Sequence, residues 1–256
     1  MITIDKLQNI VREASKLMLT DVFDIKEKEG YANIVTSSDV AVQDFLCSRL
    51  SEEMPDCGFL CEEEDIHSLS HDYVWIIDPI DGTANYSRGI DQCSICVGLW
   101  HAGEMVMGVV YLPRTEEMFH AEKDKGAYRN GKQIHVSDRP FANGVMCTAL
   151  PVYHKEYADV CSHIITDVFK ECNDIRRFGA CAPELCYLAM GRCDLYFEYL
   201  LSPWDFAAAS LILTEAGGVI ADLQNQPPTC TAPSGIIAAN NNENINILHS
   251  IISRHI

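Results

Sequence analysis

Two carboxylates, Asp78 and Asp81, stand three residues apart directly after the apolar run 74–77 (VWII), with Gly82 and Thr83 behind them. A lone D-x-x-D-G is ordinarily a turn whose aspartates accept local backbone N–H groups. Further acid is spaced to join this pair. Glu62, Glu63 and Glu64 follow a second apolar strand end, GFLC, and Asp205 follows Pro203 and Trp204 at the start of an apolar helical segment. Asp205 alone would be explained by the helix dipole. Together, such carboxylates repel one another and rise in pKa unless a cation compensates. Oxygen-rich sites that keep waters and accept phosphate oxygens suit Mg²⁺. Two such ions close together form a clamp for phosphate-ester hydrolysis. Gly82 and Thr83 add the small residue and backbone N–H groups that cradle an oxyanion at a helix start.

Two other carboxylate motifs fail on spacing. Counted from Asp78, an EF-hand would need ligands at its third and fifth positions, glycine at the sixth and glutamate at the twelfth. Ile80, Gly82 and Gly89 stand at the third, fifth and twelfth. A D-x-D-G-T phosphatase, whose first aspartate becomes phosphorylated, has one residue fewer between its carboxylates. Cys57 and Cys61 form a CxxxC, but no second Cys/His pair nearby completes a zinc site.

The elements that would position these groups can be read from periodicity. Ile4, Leu7, Ile10, Val11, Ala14, Leu17 and Met18 predict an opening amphipathic helix. Residues 30–39 read as a loop, with Ser37 or Ser38 capping a second helix that buries Val42, Phe45, Leu46 and Leu50 and stops before Pro55. From Gly58 to Val136 the texture is mostly strand, with turns at His101-Ala102-Gly103 and Asn130-Gly131 that favour an antiparallel sheet. Beyond about residue 142, a strand (144–150), a helix (155–171) and alternating short elements suggest a second, α/β-layered sheet. The segment 137–144 is the best boundary, dividing the chain into 1–141 and 142–256.

Composition bounds the function. The chain has 256 residues, 48% hydrophobic and 22% charged, which is ordinary for a globular protein. With 19 basic and 37 acidic residues the net charge is −18, which disfavours a nucleic-acid backbone as direct partner. Of the twelve cysteines, Cys93, Cys96, Cys147, Cys186 and Cys193 lie in apolar segments, where free thiols pack as small hydrophobes. No signal peptide is evident, and no apolar run approaches the roughly 20 residues that span a bilayer. The expectation is a cytoplasmic protein in a reducing compartment, away from membranes.

DPIDGTANY (78–86) and PWDFAAASLILTEAGG (203–218) resemble the two signatures of the inositol monophosphatase family. LCEEE (60–64) is similar to its acidic strand end, with Cys61 where glycine is usual. NIVTSSD (33–39) resembles its D-L-V-T-x-x-D loop, with Asn33 in place of aspartate. The resemblance implies a layered αβαβα fold, a homodimer, and a site between the two halves. It implies that Glu62, Asp78 and the Ile80 carbonyl bind one Mg²⁺ and that Asp78, Asp81 and Asp205 bind a second. Glu62 would help hold a weaker third through water. The Gly82 and Thr83 amides would hold phosphate, and Thr83, set by Asp39, would orient the attacking water. Glu198 would bind substrate hydroxyls, with Gly179, Ala180 and Cys181 lining the other side of the pocket. Lys28 stands near the family's lysine, in a poorly matched loop. His67, His71, Arg88 and His101 match no role.

The activity implied is Mg²⁺-dependent, lithium-sensitive hydrolysis of a small polyol or sugar phosphate. Asn85 favours inositol-1-phosphate over 3′-phosphoadenosine phosphate, while fructose-1,6-bisphosphate and histidinol phosphate stay open. The family's RNA-polymerase-associated members make an added protein-binding role the second hypothesis.

Overall fold

The computed structural model describes residues 2–19, 24–27, 34–63 and 68–256. The first helix, α1 (Ile4–Met18), buries Leu7, Ile10, Val11, Ala14 and Met18, whereas Leu17 is turned outward. Two short strands, β1 (Ile25–Glu27) and β2 (Ile34–Thr36), pair antiparallel, so the end of the expected loop is a strand instead. Helix α2 (Ser37–Glu53) follows without a break. Its cap is Thr36 rather than Ser37 or Ser38. Thr36 is the last residue in extended conformation, and its hydroxyl and N–H both reach Asp39 at the third helical position, forming a reciprocal capping box.

Seven strands then form one sheet in sequence order: β3 (Gly58–Cys61), β4 (Tyr73–Asp81), β5 (Ser94–His101), β6 (Glu104–Leu112), β7 (Glu117–Glu122), β8 (Ala127–Arg129) and β9 (Lys132–Ile134). A short helix, α3 (Thr83–Tyr86), interrupts the run after β4. All neighbours are antiparallel except β3 and β4. The expected turns are there: Ala102-Gly103 and Asn130-Gly131 all have positive φ, the geometry that matches a two-residue hairpin to strand twist. Strand β4 is apolar without alternation because both of its faces are covered. Val74 and Ile76 pack to one side and Trp75 and Ile77 to the other.

The second sheet has the order β11-β10-β12-β14-β13. Its elements are β10 (Val145–Thr148), α4 (Ala158–Glu171), β11 (Asp174–Arg176), α5 (Cys181–Ala189), β12 (Leu195–Leu201), α6 (Pro203–Glu215), β13 (Val219–Asp222), β14 (Ser234–Ala239) and α7 (Asn242–Ile252). The connection between sheets is anchored: Arg139 Nε donates to the buried Asp194 carboxylate at 2.9 Å, and Asn240 donates to the Arg139 carbonyl at 2.9 Å.

Three apolar clusters define the layers. One joins α1 and α2 to the outer face of the seven-stranded sheet. A second joins that sheet's inner face, α5, α6 and the inner face of the five-stranded sheet. The third places α4 and α7 on the outside of the second sheet. The order is therefore αβαβα. Every residue of α5 and an unbroken run of α6 from Phe206 to Leu213 are buried, as expected of helices that are apolar all round. The approach of α6 to the larger sheet is close. A Cβ on Gly108 would lie 2.5 Å from the Ala208 carbonyl oxygen. Among the described residues, no helix is long and apolar enough to cross a membrane.

Candidate active site

Strand β4 loses its register with β5 between Asp78 and Asp81. That irregularity turns the strand end and lets it present two carboxylates instead of continuing the ladder. Asp78 follows the alternation of Val74 and Ile76 and so faces the inner helical layer. Its Oδ1 accepts the Ile80 N–H at 2.9 Å. Asp81 reaches across to the other half, accepting N–H groups of Cys181 at 3.3 Å and Ala182 at 2.6 Å at the start of α5. Glu62 is delivered by β3, which lies parallel to β4, with its N–H on the Ile77 carbonyl at 3.3 Å. Its neighbour Glu63 turns inward, and its backbone is gripped by the Gln43 amide. Asp205 sits in the first turn of α6 behind Pro203. Its carboxylate accepts the Ser202 N–H at 2.7 Å and completes a capping box.

Glu62, Asp78, Asp81 and Asp205 line one cavity of about 1190 Å³, together with Ile80, Gly82, Thr83, Gly179, Ala180, Cys181 and Glu198. Burial pushes the Asp78 and Asp205 carboxyls well above the usual range, and the surrounding carboxylates push them further. Asp81 is raised to about 7 by burial, against the lowering effect of its two backbone hydrogen bonds. Among the described residues, no lysine or arginine pairs with Asp78, Asp81 or Asp205. Nor are any three acidic, histidine or cysteine side chains there already gathered in metal-ligating geometry. Mg²⁺ is a hard cation that completes its shell with water and phosphate oxygens. A hard, oxygen-only donor set suits that ion.

Gly82 has φ +86°, and a Cβ there would meet the Gln92 carbonyl oxygen and Ala180 Cβ, each at 2.9 Å. Only glycine fits. Thr83 Oγ1 lies 3.1 Å from Asp39 Oδ1 and 3.0 Å from the Ile80 carbonyl oxygen. A hydroxyl has one proton to give, so a cation drawing on the Ile80 carbonyl would leave Thr83 donating to Asp39. Asp39 itself is fully buried, does not line the cavity, and acts on it only through Thr83. Glu198 lies across the cavity on β12 and accepts the Tyr196 hydroxyl at 2.6 Å. Burial raises it to about 7.

The structure thus brings together every residue that the resemblance assigns to the site except Asp39, one step behind; Glu63 does not line the cavity, and Lys28, Glu64 and His67 lie outside the described residues. Arg88 lines the same cavity, and so do Tyr153, His154, Arg177 and Trp204, which sequence reasoning did not single out. Trp204 is in the first turn of α6, inside the second signature, whereas Arg88, Tyr153, His154 and Arg177 lie in connections whose composition carries no periodic signal.

The sequence profile of the inositol monophosphatase family matches residues 3–256. The Nus factor SuhB of Vibrio cholerae is 33% identical over 220 residues, covering 82% of each chain. An inositol monophosphatase from Thermotoga maritima superposes with a TM-score of 0.86 at 29% identity, covering 98% of both chains. SaIMPase-II, solved with inositol monophosphate bound, superposes with a TM-score of 0.83 at 25% identity, covering 99% of this chain and 95% of that one. A whole-chain profile match, a relative above 30% identity and the same layered fold agree, and the chain belongs to the inositol monophosphatase family of phosphatases.

Proposed function

We propose that the chain is a Mg²⁺-dependent phosphomonoesterase whose preferred substrate is inositol-1-phosphate or a close polyol phosphate. The observation that carries this reading is one cavity that gathers Glu62, Asp78, Ile80, Asp81 and Asp205 on one side and Gly82, Thr83 and Glu198 on the others. Glu62, Asp78 and the Ile80 carbonyl would hold one ion, and Asp78, Asp81 and Asp205 a second, with a weaker third near Glu62. Bound there, Mg²⁺ would supply Lewis acidity that lowers the pKa of water and offsets charge on the departing alkoxide.

The protein's own groups do the rest. The Gly82 and Thr83 N–H groups hold the phosphate oxygens. Asp39 accepts the Thr83 hydroxyl hydrogen bond, which leaves the Thr83 oxygen lone pairs to accept a hydrogen bond from water and aim it at phosphorus. Glu198 accepts from substrate hydroxyls, opposite the wall made by Gly179, Ala180 and Cys181. No protein nucleophile is required. The seam near residue 141 would separate the half carrying Glu62, Asp78 and Asp81 from the half carrying Glu198 and Asp205. Twelve free thiols suit a reducing cytoplasm, and we take the working form to be a homodimer.

The test is phosphate release with Mg²⁺ from inositol-1-phosphate, fructose-1,6-bisphosphate, 3′-phosphoadenosine phosphate and histidinol phosphate. Fastest turnover of inositol-1-phosphate, abolished by chelator and inhibited by lithium, is expected. Activity in excess chelator, or a trapped phosphoryl-Asp78, would overturn the mechanism. The relative named Nus factor SuhB favours a second reading, a protein-binding role beside catalysis. The two are separable, because Asp205→Asn should lose turnover and keep any such partner.

A further inference from the structure

Glu184 is a carboxylate with only 1% of its surface exposed, set in the first turn of α5 and outside the cavity lining. An acid at a helix start ordinarily caps N–H groups of its own first turn. Glu184 reaches further back. Its Oε1 accepts the N–H groups of Phe178 at 2.7 Å and Gly179 at 2.9 Å, both upstream of the cap residue Ala180. Its Oε2 is buried and has no hydrogen-bond partner. Leaving a buried polar oxygen unmatched is costly, so an arrangement serving stability alone would not favour it.

The same peptide is held from the opposite side. Asn85 Nδ2 donates to the Phe178 carbonyl at 2.8 Å and to the Gln92 carbonyl at 2.7 Å. Gly179 has φ +86°, a conformation with few alternatives once its flanking groups are fixed. The stretch it begins runs directly along the cavity and ends where Asp81 takes the Cys181 and Ala182 N–H groups.

We propose that Glu184 is a positioning residue for substrate recognition: by clamping the 178–179 peptide against Asn85 it sets the backbone wall at 179–181 that faces the non-phosphate part of the substrate. The assignment rests on the reading above that this wall meets a polyol. It places Glu184 in selectivity for the alcohol portion and outside the chemical step. Burial holds the carboxyl up to about 8, so near neutral pH it is mostly uncharged and an acceptor of the same shape can replace it.

The experiment compares Glu184→Leu and Glu184→Gln in the full chain with saturating Mg²⁺, using inositol-1-phosphate and phenyl phosphate. Glu184→Leu is expected to raise KM for inositol-1-phosphate about tenfold, the loss of one to two hydrogen bonds, with kcat and the phenyl phosphate KM little changed. Glu184→Gln, which keeps the acceptor, should restore KM close to wild type. Equal losses for both substrates, a fall confined to kcat, or a Gln variant as poor as Leu would each overturn the proposal. Hydrogen exchange at the 178 and 179 amides gives a readout free of turnover: protection should be lost in Leu and kept in Gln. Unchanged protection in Glu184→Leu sinks the clamp whatever the substrate. Wild-type protein inert toward both esters would instead overturn the phosphatase reading, leaving exchange to decide the clamp. If the Leu variant does not fold, Glu184→Asp withdraws the oxygen by one methylene, and it should give an intermediate KM and partial protection.

Discussion

Strand β4 and strand β12 reach the cavity by the same device and arrive with different neighbours. Each loses register with its antiparallel neighbour at the point where a carboxylate is needed, between Asp78 and Asp81 on β4 and between Glu198 and Leu201 on β12. On β4 the carboxylates stand among other carboxylates, which push Asp78 upward on top of burial. On β12 the nearest help is a neutral hydroxyl, Tyr196, which satisfies Glu198 and partly offsets the cost of burying it. On the proposed reading the first wall would take a cation, whereas Glu198, beside a single neutral hydroxyl donor, would meet substrate hydroxyls. The difference would separate a wall for charge from a wall for hydroxyl groups.

The sharpest way to break that division is Asp205→Asn. Asparagine keeps an oxygen for the Ser202 N–H, so apo melting should barely change, while turnover should fall by at least about 10²-fold, as for loss of a transition-state charge stabiliser. Partial recovery at high Mg²⁺ is expected. Near wild-type turnover at limiting Mg²⁺ would reduce Asp205 to a helix cap.

Next in size is Glu198→Gln, which tests the opposite wall. It should weaken inositol-1-phosphate by roughly 1.5–3 kcal/mol, the value of a hydrogen bond to a charged group, and phenyl phosphate far less. An equal effect on both esters would place Glu198 outside recognition. Gly108→Ala strikes beneath both walls by forcing a methyl toward the Ala208 carbonyl. Denaturant melts should show about 1–3 kcal/mol of destabilisation, with smaller losses in turnover per folded molecule. An unchanged melt would mean that α6 can lift without cost.

The last prediction concerns pH. Glu184 has its folded pKa raised to about 8 from 4.5, with burial as the main cause. Between those values the folded state holds a proton that the unfolded state has lost. Its contribution is therefore fully present below pH 4.5 and disappears as pH rises through 8. Melting temperature in Glu184→Gln should decline less steeply than wild type between pH 5 and 8. Parallel curves would show that Glu184 is ionised throughout.

What could be read in advance follows from the range of each interaction. Asp78, Asp81, Gly82 and Thr83 are contiguous, so their shared chemistry is visible as a string, and α1 announces itself by period. The Thr36 cap was missed because three adjacent hydroxyl residues compete for it, and only the strand pairing of β2 decides where extended backbone ends. The parallel β3–β4 pair was hidden because its partners are separated by a connection, 62–72, without a pattern of its own. Glu184 carries no motif signal, because the N–H groups it accepts lie upstream of the helix that holds it.

The close seating of α6 on the larger sheet bears on how such a chain can diverge. Outer helices α4 and α7 touch a single sheet and can exchange side chains one at a time. Helix α6 is shared by two sheets and rests on Gly108 where no methyl fits. A lineage that replaced Gly108 would have to move the Ala208 backbone in the same step, carrying the first turn and Asp205 with it. Accepted substitutions should therefore collect on the outer layers, while the middle layer changes in linked sets or not at all.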